Sequence, residues 1–344
     1  MLNMDLDHLG RQHVRIGFSY VFFAMATPPM GMLQAVVERI FTFPPVFNAA
    51  SRAARRKIMQ RGQEMGVWEQ VATDTEDWER RVQLARNPDV TVPAYYEAPF
   101  HAYERGNLSI DAALEVANAA KSVHATVFQE PGQPELLDPN GDERLRTSFS
   151  DKTKEALDAF GVDPACIRDV LDIGAATGLS SVALLEAFPG SRMVRGIDLS
   201  QYFVAVGRFI HRDLVERGRL TLEHAAAEDL GAIVPDASQD LVSMCLVCHE
   251  LPQEATRNIF AEAHRTLRPG GVLALMEMDP TTPAFRRLMS NPVPYTVFKA
   301  TEPYLLEYCG LDMEAELRRA GFTKVQSRAG SPRHKVVVAL KEFV

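Results

Sequence analysis

The chain has 344 residues, of which 46% are hydrophobic and 24% charged, and its formal net charge is −8 at pH 7. This length and composition are typical of a globular protein that buries a large core without disulfides or metals. The longest basic run is Arg55–Lys57, which excludes the basic groove that a nucleic-acid backbone requires. We therefore expect no nucleic-acid partner.

The first 145 residues or so are predicted to be helical. The apolar run after residue 14 ends at Pro28-Pro29 and is too short to cross a bilayer of about 30 Å. We interpret residues 14–40 as two packed helices rather than a signal or anchor. We accordingly expect a cytoplasmic protein, with an organelle as the alternative, and no stable membrane insertion. The apolar helices of residues 14–50 could build a homodimer interface.

Two further N-terminal helices are predicted, over residues 44–66 and 109–128. Ser109 or Asp111 can cap the start of the second. The polar stretch 129–143, rich in Pro, Gly and acids, is the best linker candidate. We therefore place the boundary of a helical cap domain between residues 145 and 146.

The pattern then changes to short apolar runs separated by helical stretches. Strands are predicted over 169–174, 192–198, 219–225, 240–247 and 271–278, and helices over 179–188, 200–218 and 253–271. This alternation predicts an α/β fold with a doubly wound, Rossmann-like parallel sheet. A helix at 312–322 and a hairpin of strands 323–329 and 335–343 could close one sheet edge in the antiparallel sense.

Four cysteines lie mostly in apolar surroundings: Cys166, Cys245, Cys248 and Cys309. They suit reduced, inert thiols better than a disulfide framework. Cys245 and Cys248 fall in a predicted buried strand, and no second pair has zinc-site spacing. We expect no metal site.

A glycine-containing turn follows the first predicted strand. Gly174 and Gly178 are four residues apart, and Ala176 and Leu179 stand where a dinucleotide fingerprint has its second and third glycines. Close approach of a diphosphate is therefore obstructed. The alternatives to a nucleoside site are a turn that binds nothing and a nucleotide dehydrogenase.

Two carboxylates follow strands near this turn. Asp172 precedes the first glycine and is expected to face the ligand, where it would repel a phosphate and attract an ammonium group. Asp198 ends the second strand and is placed to accept hydrogen bonds from a ribose diol. A nucleoside with a cationic amino-acid tail, S-adenosylmethionine, fits both.

Five ordered segments (170–181, 194–200, 225–230, 240–252 and 265–279) resemble the successive motifs of class I S-adenosylmethionine-dependent methyltransferases. The flanks 44–62, 95–108, 301–308 and 331–339 resemble a plant and algal group of small-molecule methyltransferases. The resemblance implies a methyltransferase sheet and a cofactor-binding set: Asp172, Gly174, Ala175, Gly178, Asp198, Leu199, Ala227, Glu228 and Cys245. Asp172 and the glycines would hold the methionine end, Asp198 the ribose, and Leu199 the adenine. Ala226 stands where the family often has Asp or Asn, so backbone near Ala227 and Glu228 is the alternative partner of the adenine amino group.

His249 and Glu250 follow the fourth predicted strand, where an acceptor would approach the methyl group. His249 could be a general base, because histidine titrates near neutral pH. It could equally cap the next helix or orient the substrate.

Residues 95–107 concentrate aromatic rings, which can cover a sulfonium or an apolar acceptor. We expect an acceptor lid here, a cap that packs on the core being the alternative. The predicted catalytic set is His249, Glu250, Tyr96, His101 and Tyr103. The predicted substrate-binding set is Tyr95, Tyr96, Phe100, Tyr295, Lys299 and Arg333.

The rim insert 281–310 contributes Tyr295, Lys299 and Glu302, and the final hairpin turn contributes Arg333 and His334. One arginine there could clamp a carboxylate, although solvated turn residues are the alternative.

These observations predict a methyltransferase that acts on a small-molecule acceptor. One candidate reaction is S-methylation of a carboxylated thioether, such as methylthiohydroxybutyrate on the algal route to dimethylsulfoniopropionate. The alternatives are O- or C-methylation of a phenol or quinol with His249 as base, and a non-catalytic cofactor-binding scaffold.

Overall fold

A computed structural model describes residues 44–69, 71, 77–97, 103, 105–129, 136–291, 295, 298 and 301–343. The helices predicted over 14–40 lie outside the described residues, as does most of the segment 14–50 that could build a dimer interface. Within the described part, no helix has the length and apolar character needed to span a membrane.

The apolar runs of the C-terminal part form one seven-stranded sheet. Its strands are β1 (Asp169–Ile173), β2 (Met193–Asp198), β3 (Leu220–His224), β4 (Gln239–Cys245), β5 (Leu267–Met278), β6 (Lys324–Ala329) and β7 (His334–Leu340). The order is β3-β2-β1-β4-β5-β7-β6, with β1 to β5 parallel and β7 antiparallel to both of its neighbours. The predicted doubly wound sheet with an antiparallel hairpin is confirmed.

The helices alternate with these strands or precede them. They are α1 (Pro44–Glu64), α2 (Trp78–Ala85), α3 (Ile110–His124), α4 (Gly141–Phe160), α5 (Leu179–Ala187), α6 (Gln201–Ile210), α7 (Arg212–Glu216), α8 (Gln253–Thr266), α9 (Pro283–Ser290), α10 (Leu305–Cys309) and α11 (Met313–Arg319), with short 3₁₀ helices at Ala94–Tyr96, Pro164–Cys166 and Cys248–Glu250. Ser109 caps α3 as predicted, since its hydroxyl accepts from the backbone N–H of Ala112 at 3.2 Å.

Two predicted helices have different limits in the structure. The helix predicted over 200–218 is interrupted at His211, where α6 ends and α7 begins; the imidazole packs against the β1 turn at Gly178. The helix predicted over 253–271 ends at Thr266, because Leu267 already pairs with Gln239 as β5 begins.

The strand predicted over 240–247 ends at Cys245. Leu246 has a positive φ of 62°, a left-handed conformation that takes the chain out of the sheet. Cys248 is therefore in the following 3₁₀ helix rather than in the strand, so this part of the prediction is wrong.

Apolar side chains of the strands alternate between two buried layers. Leu171, Ile173, Leu273 and Leu275 pack with α8, α10 and α11, whereas Val170, Val272 and Ala274 pack on the other face with α4, α5 and α6. Both faces of the sheet are thus covered, as its apolar strands require.

The N-terminal helices pack over the end of the sheet near α6. Helix α3 contacts α1 and α6, and α2 also lies on α6, where Trp78 meets Phe209 edge to face at 5.3 Å. Helix α4 runs across the predicted boundary between 145 and 146, so the cap and the sheet domain share one helix.

A buried imidazole joins the cap to the sheet. The backbone N–H of Asn87 donates to Nδ1 of His224 at 3.0 Å, and Nε2 of His224 contacts the Leu199 carbonyl at 3.1 Å. Because Nδ1 accepts, Nε2 carries the proton and the ring is neutral. Burial lowers the pKa of His224, which favours this neutral form.

Candidate functional site

A cavity of about 470 Å³ lies at the carboxyl ends of the strands, beneath the N-terminal helices. Residues at the ends of β1, β2 and β4 form one wall, and residues of α1 and α3 form the opposite wall. In open parallel sheets this edge is where ligands bind, and the volume is typical of small-molecule sites.

The turn after β1 forms the floor of this cavity. Gly174 has φ 69°, and a Cβ there would lie 2.6 Å from a methyl group of Val247. Gly174 and Ala176 line the cavity, whereas Ala175 and Gly178 do not. The backbone thus approaches the cavity where a side chain would not fit.

Asp172 is fully buried behind this turn. Its carboxylate accepts from the hydroxyls of Ser180 at 2.6 Å and Ser181 at 2.7 Å, and the residue does not line the cavity. The structure thus places this carboxylate behind the turn and not in the cavity lining, and its Oδ1 has no hydrogen-bond partner in the described part of the chain. Its part in cofactor binding stays a prediction. Burial raises its pKa, although the two serine hydrogen bonds oppose the rise. Asp172 ties the start of α5 to β1.

Asp198 lies at the end of β2, and its carboxylate lines the cavity. One oxygen accepts from the backbone N–H of Ala176 at 2.9 Å, and the other accepts from that of Ser200 at 2.8 Å. The hydroxyl of Tyr96 is 3.4 Å from the second oxygen. Burial raises the pKa of Asp198 to about 6. The carboxylate is thus rigidly held and can accept further hydrogen bonds from hydroxyl groups.

An apolar wall with polar groups at its edge continues from Asp198. Leu199, Ala227 and Glu228, which the sequence motifs assign to the adenine, all line it. The Tyr95 hydroxyl donates to Glu228, and burial raises the pKa of Tyr95. Asn107 also lines this wall, and its buried Oδ1 has no hydrogen-bond partner in the described part of the chain.

His249 and Glu277 form a buried pair at the cavity. Nδ1 of His249 lies 2.8 Å from a Glu277 oxygen, and the backbone N–H of Cys248 donates to the other oxygen. Burial alone would lower the pKa of His249, but Glu277, with smaller contributions from Glu302 and Glu250, raises it to about 9. The imidazole is therefore protonated at neutral pH.

The predicted catalytic residue Tyr103 lies on the cap side of the cavity. Its hydroxyl donates to Glu115 at 2.6 Å, and the same carboxylate pairs with Arg55. The Arg55 guanidinium also lies 5.0 Å from the centre of the Tyr103 ring. The structure thus places Tyr103 in a cap cluster, separate from the His249 pair.

Arg146 of α4 is a cavity residue that the sequence motifs did not identify. It makes a two-bond pair with Asp142, at 2.9 and 3.2 Å, and its Nη1 lies 3.9 Å from Sγ of Cys245. His124 shares the same carboxylate at 2.6 Å. Burial raises the pKa of Cys245 to about 12, so this thiol is neutral.

The remaining predicted residues divide into three groups. The residues that line the cavity are Tyr95, Tyr96, Glu250, Glu302, Arg333 and His334. Tyr295 is buried in the hydrophobic core and does not line the cavity. Phe100, His101 and Lys299 lie outside the described residues.

Cys166 is exposed, unlike the other cysteines. In the ranges that the structure describes, no group of three acidic, His or Cys side chains could hold a metal.

The model of the methyltransferase domain family matches residues 170–271. Among curated relatives, trans-aconitate 2-methyltransferase of Azoarcus sp. (strain BH72) is 31% identical over 162 residues, which are 46% of this chain and 58% of that protein. Demethylmenaquinone methyltransferase of Anoxybacillus flavithermus is 30% identical over 178 residues, 45% of this chain and 70% of that protein. The match thus spans less than two thirds of the first relative.

Among solved structures, the apo form of the S-adenosylmethionine-dependent methyltransferase SibL is 22% identical, with 62% of this chain and 60% of that chain covered and a TM-score of 0.42. The sheet order of this chain, its glycine turn and its similarity to the bacterial methyltransferases agree with the resemblance found in the motifs. The chain belongs to the class I methyltransferases, whose cofactor is S-adenosylmethionine.

Proposed function

We propose that this protein transfers a methyl group from S-adenosylmethionine to a small-molecule acceptor in the cavity. In this proposal residues 1–145 form the acceptor-binding cap and residues 146–344 the catalytic domain. The observation that supports it most directly is the shared lining: the ends of β1, β2 and β4 face α1 and α3 across one cavity. A cavity that holds two reactants side by side aligns them for reaction, which can lower the activation barrier by about 7–11 kcal/mol.

The wall near the β1 turn fits an adenosine. Asp198 can accept hydrogen bonds from a ribose diol in addition to its two backbone bonds. The unpartnered Oδ1 of Asn107 suits a hydroxyl or amino donor, because an unsatisfied buried acceptor is costly. Leu199 and Ala227 offer apolar contact to a purine ring. The backbone at Gly174 would hold the amino-acid end.

The cofactor, when bound, supplies an electrophilic methyl group on a positively charged sulfur. Carboxylates of Asp198, Glu228, Glu250 and Glu302 line the cavity and favour a cation there. His249 adds a positive charge, but its pairing with Glu277 makes that pair neutral as a unit.

We infer that the attacking atom of the acceptor carries no proton, as in a thioether. An oxygen or nitrogen acceptor that carries a proton needs a base, and His249, with a pKa of about 9, holds its proton at neutral pH. This supports S-methylation over methylation of a phenol or quinol. At saturating cofactor, a thioether should give a rate that is flat between about pH 6 and 8. A rate that rises toward pH 9, with a limb that disappears in His249→Ala, would instead favour the phenol or quinol.

The experiment that tests methyl transfer is incubation of the purified protein with isotope-labelled S-adenosylmethionine and an extract of the source cells. Mass spectrometry should find a small molecule that gains the labelled methyl group. At a low cofactor concentration Asp198→Asn should lower the labelling about 10-fold or more, whereas Asp213→Asn, which changes an exposed carboxylate on α7, should leave it intact. Binding of S-adenosylhomocysteine without any labelled product would instead support the scaffold alternative.

A further inference from the structure

One end of the cavity carries an arginine without an acidic partner. Arg333 precedes β7 and lines the cavity, and its Nη2 donates to the Thr126 hydroxyl at 2.9 Å. No carboxylate within the described ranges pairs with its guanidinium. Burial, together with the charge of the nearby Arg61, lowers the pKa of Arg333. A half-buried cation of this kind favours an anion from outside the protein.

The groups around Arg333 do not supply that anion. The neighbouring His334 also lines the cavity, and burial lowers its pKa to about 3, so it is neutral. His124 lies edge to face with His334 at 6.3 Å, and its Nδ1 is already bonded to Asp142. Asp142 is further engaged by the two hydrogen bonds from Arg146. The Asp142 carboxylate is thus the hydrogen-bond partner of both His124 and Arg146.

Arg333 differs from the other charged groups of the cavity. Asp198 and Glu228 lie on the wall assigned to the nucleoside, and Glu250 and Glu302 act on His249. Arg333 lies where the hairpin that leads into β7 meets the cap, and its guanidinium has no carboxylate partner in the described ranges. A ligand with a negative group at one end would be oriented by the Arg333 guanidinium.

We propose that Arg333 binds a carboxylate of the acceptor and so sets the substrate class as carboxylic acids. This inference rests on the proposed methyl transfer. An arginine fork matches a carboxylate in a two-bond geometry that a lysine cannot reproduce. His249 lies on the same side of the cavity, because its partner Glu277 precedes Met278 in β5, and Met278 pairs with His334 in β7. The bound acid would thus extend toward the reacting end.

Arg146 is the better partner for the cofactor's own carboxylate. Its Nη1 points to Cys245 at the end of β4, and its charge acts on Asp172 beneath the β1 turn. Arg333 instead contacts Thr126 of the cap. We therefore assign the cofactor carboxylate to Arg146 and the acceptor carboxylate to Arg333. Substitutions of the two arginines should then weaken the binding of different ligands.

The test uses the full-length protein and the compound labelled in the extract experiment. We expect that compound to be a carboxylic acid, with a KM that rises about 30-fold in Arg333→Gln and remains high in Arg333→Lys. Arg328→Gln, in β6 of the same hairpin but outside the cavity lining, should leave the KM unchanged. Thermal unfolding of each variant separates loss of binding from loss of the fold.

Calorimetry supplies the second measurement. S-adenosylhomocysteine should bind Arg333→Gln as tightly as the wild type and should bind Arg146→Gln more weakly. The carboxamide analogue of the acceptor should be a poor substrate of the wild type and an equally poor one of Arg333→Gln. An acceptor without a carboxylate, one whose only anion is a phosphate, an unchanged KM, or weakened S-adenosylhomocysteine binding in Arg333→Gln would each overturn the inference. Absence of any labelled compound would be a failure of methyl transfer itself.

Discussion

The pair formed by His249 and Glu277 allows a quantitative prediction about stability. Glu277 raises the pKa of the buried imidazole from 6.5 to about 9. This difference corresponds to about 3 kcal/mol of free energy of unfolding. Since the folded pKa is the higher one, the contribution is complete below pH 6.5 and is lost as the pH rises through 9.

The substitution that tests this is Glu277→Gln, which keeps the shape of the side chain and removes its charge. Without the negative charge of Glu277, little opposes the lowering of the His249 pKa by burial. The pKa of His249 should therefore fall markedly, to near or below 6.5. The free energy of unfolding of the wild type should decrease by about 3 kcal/mol between pH 6 and pH 10 relative to the variant.

Urea unfolding at several pH values measures this difference, and NMR of labelled histidine reports the pKa of His249 directly. Glu155→Gln, a change at an exposed carboxylate of α4, controls for the general effect of removing a negative charge. Parallel pH profiles for the wild type and Glu277→Gln, or a His249 pKa below 7 in the wild type, would refute the reasoning.

Two further predictions concern the cofactor wall. Ionisation of Asp198, whose pKa is about 6, should strengthen S-adenosylhomocysteine binding as the pH rises from about 5 to 7, because the charged carboxylate accepts hydroxyl hydrogen bonds better. Asp198→Asn should weaken binding at least about 10-fold and remove this pH dependence in calorimetry; a dependence that persists would point to another group. Gly174→Ala should abolish binding, because its φ is 69° and its Cβ would lie 2.6 Å from Val247. Val247→Ala in the same chain should recover part of the affinity, and normal binding by Gly174→Ala alone would contradict the assigned role of the turn.

The sheet and the position of Asp198 and Leu199 at the cavity could be predicted because their signals are local. Runs of apolar residues gave five strands to within a few residues, and the order of motifs placed Asp198 and Leu199 at one strand end. The position of a strand end in a parallel sheet then fixes the position of its side chain.

The orientation of Asp172 is harder to predict, because it depends on which side chains lie behind the turn. In a strand, successive side chains face opposite sides of the sheet, and Asp172 faces the start of α5 and its two serines. The serines at 180 and 181 were visible in the sequence, and their position in the first turn of α5 is the signal that was missed.

The pairing of His249 with Glu277 joins residues 28 positions apart and depends on β4 lying next to β5. The signal in the sequence was Glu277, an acidic residue within an apolar stretch of β5. It indicates a buried partner, because a buried carboxylate needs one. Arg146 offered no comparable signal, since an arginine in a polar helix is ordinary.

The neutral ring of His224 makes the attachment of the cap sensitive to acid. An imidazolium carries a proton on each nitrogen, so Nδ1 could no longer accept from Asn87. The same ring holds the Leu199 carbonyl. Because Nε2 is a donor in both forms of the ring, that second hydrogen bond survives protonation. Acidification would therefore free the loop after α2 from the end of β3, while the imidazole keeps its place beside the end of β2.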